Sequence, residues 1–132
     1  MAGLYFLAVL FPHRLEEEIR NFKQDFADNF NAPAALKPPG HITMAETFRA
    51  DHRMIRQYLP SLKNLFASFS PFECRNRNFG SFPKHTIFAA IENPEPLTKI
   101  RQELYFQRKH SNLLNQQAIP SQHMHPHATI AY

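Results

Sequence analysis

Two short triplets in this chain carry groups suited to proton transfer. They are His41-Ile42-Thr43, preceded by Pro38-Pro39-Gly40, and His127-Ala128-Thr129, inside the stretch His125 to Tyr132. In an extended strand, side chains at i and i+2 point to the same face. Each triplet therefore sets an imidazole and a hydroxyl side by side. An ordinary imidazole titrates near neutrality, so one histidine can act as free base while another is protonated. Two such triplets facing one space can take a proton from attacking water and return one to a leaving sugar oxygen. Thr43 and Thr129 would donate hydrogen bonds to the non-bridging phosphate oxygens, where charge builds in the transition state. The chemistry needs no metal, cofactor or covalent intermediate.

The elements that must position these groups follow from periodicity. Leu4 to Phe11 is a continuous apolar run ended by Pro12, which predicts a central strand covered on both faces. Leu15, Ile19, Phe22, Phe26 and Phe30 recur at helical spacing, and Glu16 to Glu18 read as a solvated face near the positive helix start. A loop with Pro33, Pro38 and Pro39 then delivers the strand beginning at His41. Asp51 is a candidate N-cap for a second helix from Met54 to Phe69, kinked or split at Pro60.

From Pro71 a strand is expected through Phe72 and Cys74 toward Asn78, with a bend near Phe79-Gly80. Thr86 to Ile91 pairs with it antiparallel. Leu97, Ile100 and Leu104 mark a third helix to about Lys109, and a polar loop, Ser111 to Gln122, leads to the second triplet. The chain thus reads twice as apolar strand, amphipathic helix, Pro-containing loop and His-x-Thr. Two similar halves, each presenting one triplet across a cleft, are the expected arrangement.

A length of 132 residues supports one domain, residues 1–132, with a modest core to which the 13 Phe contribute most of the large side chains. The net charge of +4 suits an anionic partner without identifying nucleic acid. The single cysteine, Cys74, rules out an intrachain disulfide and reads as a buried small hydrophobe rather than a nucleophile. The Leu4–Phe11 run is too short to span a membrane and lacks the pattern of a secretory signal, so the expected location is cytoplasmic.

Lys37 to Met44 and His125 to Ala131 resemble the two signature motifs of the two-histidine phosphoesterases, and within them the 2'-5' RNA ligase and cyclic phosphodiesterase group. Phe79-Gly80-Ser81-Phe82-Pro83 before a strand extends the likeness. The resemblance implies a bilobal α+β fold, antiparallel sheets lining a central cleft with helices outside. It implies hydrolysis of 2',3'-cyclic phosphate ends to 2'-phosphates, or reversible 2',5' linkage of RNA. It makes His41 and His127 the acid–base pair and Thr43 and Thr129 the phosphate holders, with RNA ends or a cyclic nucleotide as partner.

Members of this family continue past the second motif with a helix and further strands. Since this sequence stops at Tyr132, the strand from Leu4 is expected to show an apolar edge or face, with compensation by self-association or a weakened fold.

Two other readings compete. His123-x-His125-x-His127 has the spacing of a zinc or nickel site and loosely resembles the histidine-triad nucleotide hydrolases; Pro126 and the separate triplet at His41 count against both. A non-catalytic RNA- or nucleotide-binding module would use Arg49, Arg53, Arg56, Arg75 and Arg77, with Phe48 as a base-stacking platform.

Overall fold

The computed structural model describes residues 2–83, 86–110 and 125–132. The chain is α+β. Its strands are β1 (Ala2–Leu10), β2 (His41–Asp51), β3 (Asn76–Phe82), β4 (Thr86–Ile91) and β5 (Ala128–Ala131). Its helices are α1 (His13–Phe30), α2 (His52–Ala67) and α3 (Glu95–Lys109), with a short 3-10 turn at Ala34–Leu36. The strand order is β1-β2-β5-β4-β3, and β2–β5, β5–β4 and β4–β3 pair antiparallel. β1 leads through α1 into β2, as β4 leads through α3 toward β5, and β2 and β5 are neighbours in the sheet. The repeat of strand, helix and strand expected from the sequence is present in the element order. The predicted polar loop Ser111 to Gln122 lies outside the described residues.

Two compact units make up the chain. One comprises Ala8–Thr43, Cys74–Asn93 and Pro126–Tyr132, and carries both His-x-Thr triplets. Its core is Ile19 of α1 against Ala89 of β4 and Ala128 and Ile130 of β5, with Phe11, Leu15, Phe26 and Ile87 packed around it. The apolar stripe of α1 thus closes one face of the strands. Fully burying a residue of the size of Ile19 is worth about 1.5–3 kcal/mol. Pro12 ends β1 and opens α1, and Asn31, at φ 52, closes the helix in the left-handed conformation that asparagine tolerates.

The other unit comprises Met1–Leu7, Met44–Glu73 and Pro94–His125. Here the Asp51 carboxylate accepts the Arg53 N–H at 2.7 Å and caps α2, which also lowers the carboxyl pKa. The helix runs unbroken through Pro60, not as two short pieces. Pro60 lies on the exposed side, where the freed carbonyl can meet water, while Tyr58 and Leu62 bury on the opposite side. Buried Arg101 of α3 donates to the Met44 carbonyl at 2.5 Å and to the Glu46 carboxylate of β2.

Two expectations are corrected. β1 is not a strand covered on both faces: it stands at the end of the order, with Leu4, Phe6 and Leu10 more than half exposed. An apolar run distinguishes a buried strand from an edge only through its neighbours, which are non-local. Residues 71–75 form no strand; β3 begins at Asn76. Its ladder with β4 is irregular between Asn76 and Phe79, where Asn78 takes φ 62, so the bend falls ahead of Gly80. Among the described residues no helix is long and apolar enough to cross a membrane.

Candidate active site

The register between β2 and β5 places the triplets. Ile42 stands directly opposite Ala128, and both are buried on the face covered by α1. Strand alternation then turns the flanking side chains to the other face. On the antiparallel register His41 falls across from Thr129, and Thr43 across from His127. All four residues are half-buried. They form a two-by-two block with each imidazole opposite a hydroxyl. The two histidines lie on its diagonal, a spacing of about 7–8 Å between backbone positions in an antiparallel pair. That gap accommodates one phosphorus centre hydrogen-bonded from both sides.

His41 opens β2, and its Nδ1 lies 2.8 Å from the Pro39 carbonyl oxygen. A carbonyl only accepts, so Nδ1 carries the proton and the lone pair of the neutral ring belongs to Nε2. His127 precedes β5 and is flanked by aromatic rings. Phe82 meets it edge-on with centroids 4.9 Å apart, and Phe88 lies at 5.3 Å. Phe82 and Phe88 pack on each other at 4.6 Å. The strand registers explain the cluster: Phe88 pairs with Thr129 on one side and Gly80 on the other, so its ring shares the triplet face. A Cβ on Gly80 would come within 2.6 Å of that ring, so glycine is what lets the ring lie across β3. The sequence carried a hint of Phe82 in Phe79-Gly80-Ser81-Phe82-Pro83, but nothing distinguished Phe88 from an ordinary strand residue.

Phe48 belongs to the other unit. It is 7% exposed, and the Arg108 guanidinium sits over its ring at 4.3 Å. The ring is therefore packed in a core rather than presented as an open platform, because its even-numbered position on β2 shares the buried face of Met44 and Ala50. The five arginines of the nucleotide-binding reading are all exposed and divide between units: Arg49, Arg53 and Arg56 in one, Arg75 and Arg77 in the other. Arg77 pairs with Glu92 at 3.1 Å.

Of the histidine cluster, His123 lies outside the described residues and His125 is exposed. Among the described residues no three His, Cys, Asp or Glu side chains gather as a metal site. A cavity of about 770 Å³, lined by Phe69, Phe72, Pro94, Pro96, Lys99 and Gln102 among others, belongs to the unit without the triplets.

Cys74 is exposed, contrary to the expectation of a buried residue, because the segment before β3 is loop rather than strand. Desolvation around the sulfur still pushes its thiol pKa up. A raised pKa leaves less thiolate at neutral pH than in a free cysteine, and the deficit closes as pH rises. Alkylation by iodoacetamide at neutral pH is therefore expected to run slower than that of glutathione and to quicken with pH. Alkylation at neutral pH as fast as that of glutathione would show that the thiol pKa is not raised.

A family model described as the 2'-5' RNA ligase superfamily matches residues 11–132. A protein named "Putative phosphoesterase" from Geobacillus sp. (strain WCH70) is 28% identical over 98 residues, 73% of this chain and 54% of its own length. Another of the same description, from Geobacillus kaustophilus (strain HTA426), is 27% identical over 99 residues, 74% of this chain and 55% of its own. The chain spans about half the length of these relatives.

Proposed function

Because this chain belongs to the 2'-5' RNA ligase superfamily, within the two-histidine phosphoesterases, we propose that it opens 2',3'-cyclic phosphates at RNA ends or on nucleotides. One imidazole of the His41–His127 pair takes a proton from water as the water oxygen bonds to phosphorus. The bond from phosphorus to the 3' oxygen breaks, and the other imidazole supplies the proton that makes the 3' hydroxyl. The product is a 2'-phosphate. In the ligation direction an RNA 5' hydroxyl replaces water and the product is a 2',5' linkage. Thr43 and Thr129 hold the non-bridging oxygens. Two imidazoles and two hydroxyls suffice for every proton and every developing charge in this scheme.

The observation that supports the reading is the Ile42–Ala128 pairing, which sets both triplets on one face of adjacent strands. The test is direct. Incubation with 2',3'-cyclic AMP is expected to give the 2'-phosphomonoester at a rate unchanged by EDTA. Loss of the activity on chelation, restored by zinc, would favour the histidine-cluster metal reading instead. Saturable binding of a cyclic-ended oligonucleotide with no product would favour a non-catalytic binding module.

A further inference from the structure

We propose that Glu16 and Lys23 of α1 are positioning residues for His41. They grip the Pro38-Pro39-Gly40 backbone so that the Pro39 carbonyl holds the imidazole as its Nδ1–H tautomer. The role assigned here rests on the acid–base reading of His41.

The starting observation is a charge where none is expected. Lys23 is 2% exposed, on the same helical face as Ile19, among the apolar residues that close the core. Lysine is almost never buried that deeply without a partner, and an apolar residue would fill the position at less cost. Burial lowers its pKa, with nearby Glu16 opposing that shift and Arg20 adding to it. Its Nζ donates to the Pro38 carbonyl at 3.1 Å. Two helical turns earlier on this face, half-buried Glu16 accepts the Gly40 N–H at 2.7 Å. Glu17 and Glu18, the other members of the same acidic run, are exposed.

The loop leaves few handles, since prolines have no N–H. Ahead of the Gly40 Cα its backbone polar groups are the Pro38 carbonyl, the Pro39 carbonyl and the Gly40 N–H. Lys23 takes the first, Glu16 the third, and His41 Nδ1 the one between them. The middle carbonyl is thus held from both sides, and its direction decides which imidazole nitrogen keeps the proton. Gly40 completes the arrangement: a Cβ there would stand 2.7 Å from the Glu16 carboxylate and 2.9 Å from Ile19 Cγ2, so only glycine lets the helix approach this closely. An unconstrained neutral imidazole favours Nε2–H. The clamp selects the other tautomer, with the proton on Nδ1 and the lone pair on Nε2.

The experiment reads the tautomer and the rate together. Long-range ¹H–¹⁵N correlation of the ¹⁵N-labelled chain at about pH 8, where imidazoles are neutral, is assigned by the loss of one ring in His41→Gln. Wild type is expected to show His41 protonated at Nδ1. Glu16→Ala and Lys23→Met, folded by circular dichroism, are expected to shift His41 toward Nε2–H. They are also expected to lower kcat on 2',3'-cyclic AMP by about tenfold or more, with KM within about twofold. Glu16→Gln keeps an acceptor for Gly40 N–H and is expected to recover most of the kcat lost in Glu16→Ala.

A wild-type His41 already protonated at Nε2 overturns the proposal. So do folded Glu16→Ala and Lys23→Met chains that keep both the Nδ1–H signal and wild-type kcat. Should Lys23→Met fail to fold, the Glu16→Ala and Glu16→Gln pair decides alone. A wild-type chain without turnover would remove the acid–base reading, yet the tautomer signals would still decide whether the clamp exists.

Discussion

His127→Ala and His41→Ala are each expected to lower turnover of a 2',3'-cyclic nucleotide by about 10²–10⁴-fold, the range one general acid or base contributes. Stability is expected to change little by comparison. Both imidazoles sit on the face opposite the α1 core, half-buried, and neither belongs to the apolar cluster of Ile19, Ala89, Ala128 and Ile130. His127 loses ring contacts with Phe82 and Phe88, which can still pack on each other. The two substitutions are expected to be strongly non-additive, because in the proposed reaction the pair hands protons to opposite ends of one step. Steady-state kinetics beside thermal melts make the check: a folded variant of either histidine that retains more than about a tenth of wild-type kcat removes it from the acid–base pair.

The largest loss of stability is expected at Arg101, away from the triplets. Its side chain is 2% exposed and bridges α3 to β2 through the Met44 carbonyl and the Glu46 carboxylate. Arg101→Ala removes the volume of a long buried side chain and strands the Met44 carbonyl, which together cost about 3–5 kcal/mol. Arg101→Met refills most of the space and discards the desolvated cation, so it is expected to recover much of that loss. Glu46→Gln keeps an acceptor for the guanidinium and is expected to cost only about 1 kcal/mol. Urea unfolding of the three variants gives the ranking. A loss below about 1 kcal/mol for Arg101→Ala would show that the pair merely offsets its own desolvation. The strand it grips is the one that opens with His41 and Thr43, so kcat of Arg101→Met also reports whether that anchoring reaches the triplet.

Local periodicity made much of the architecture legible. Apolar residues three and four apart marked α1, α2 and α3, and Asp51 was readable as a cap because N-capping needs only its own sequence neighbours. The i, i+2 rule put His41 with Thr43 and His127 with Thr129 before any contact was known. Ambiguity began where the same local pattern serves two environments. The apolar run in β1 suited a covered strand and proved an exposed edge. Phe48 suited a stacking platform and proved a core residue beneath Arg108. Glu16 looked like its solvated neighbours Glu17 and Glu18, and only the approach of Gly40 separates it from them.

By itself the sequence determined which residues could do chemistry, and that each imidazole shares a strand face with a hydroxyl, because both follow from residue type and backbone pitch. Only the tertiary structure decided that Ile42 meets Ala128, so that the triplets become neighbours. It alone decided that Glu16 and Lys23 hold the loop ahead of His41. Those outcomes depend on contacts between residues distant along the chain, whose energies depend on everything packed between them, and no repeat or spacing along the chain encodes them.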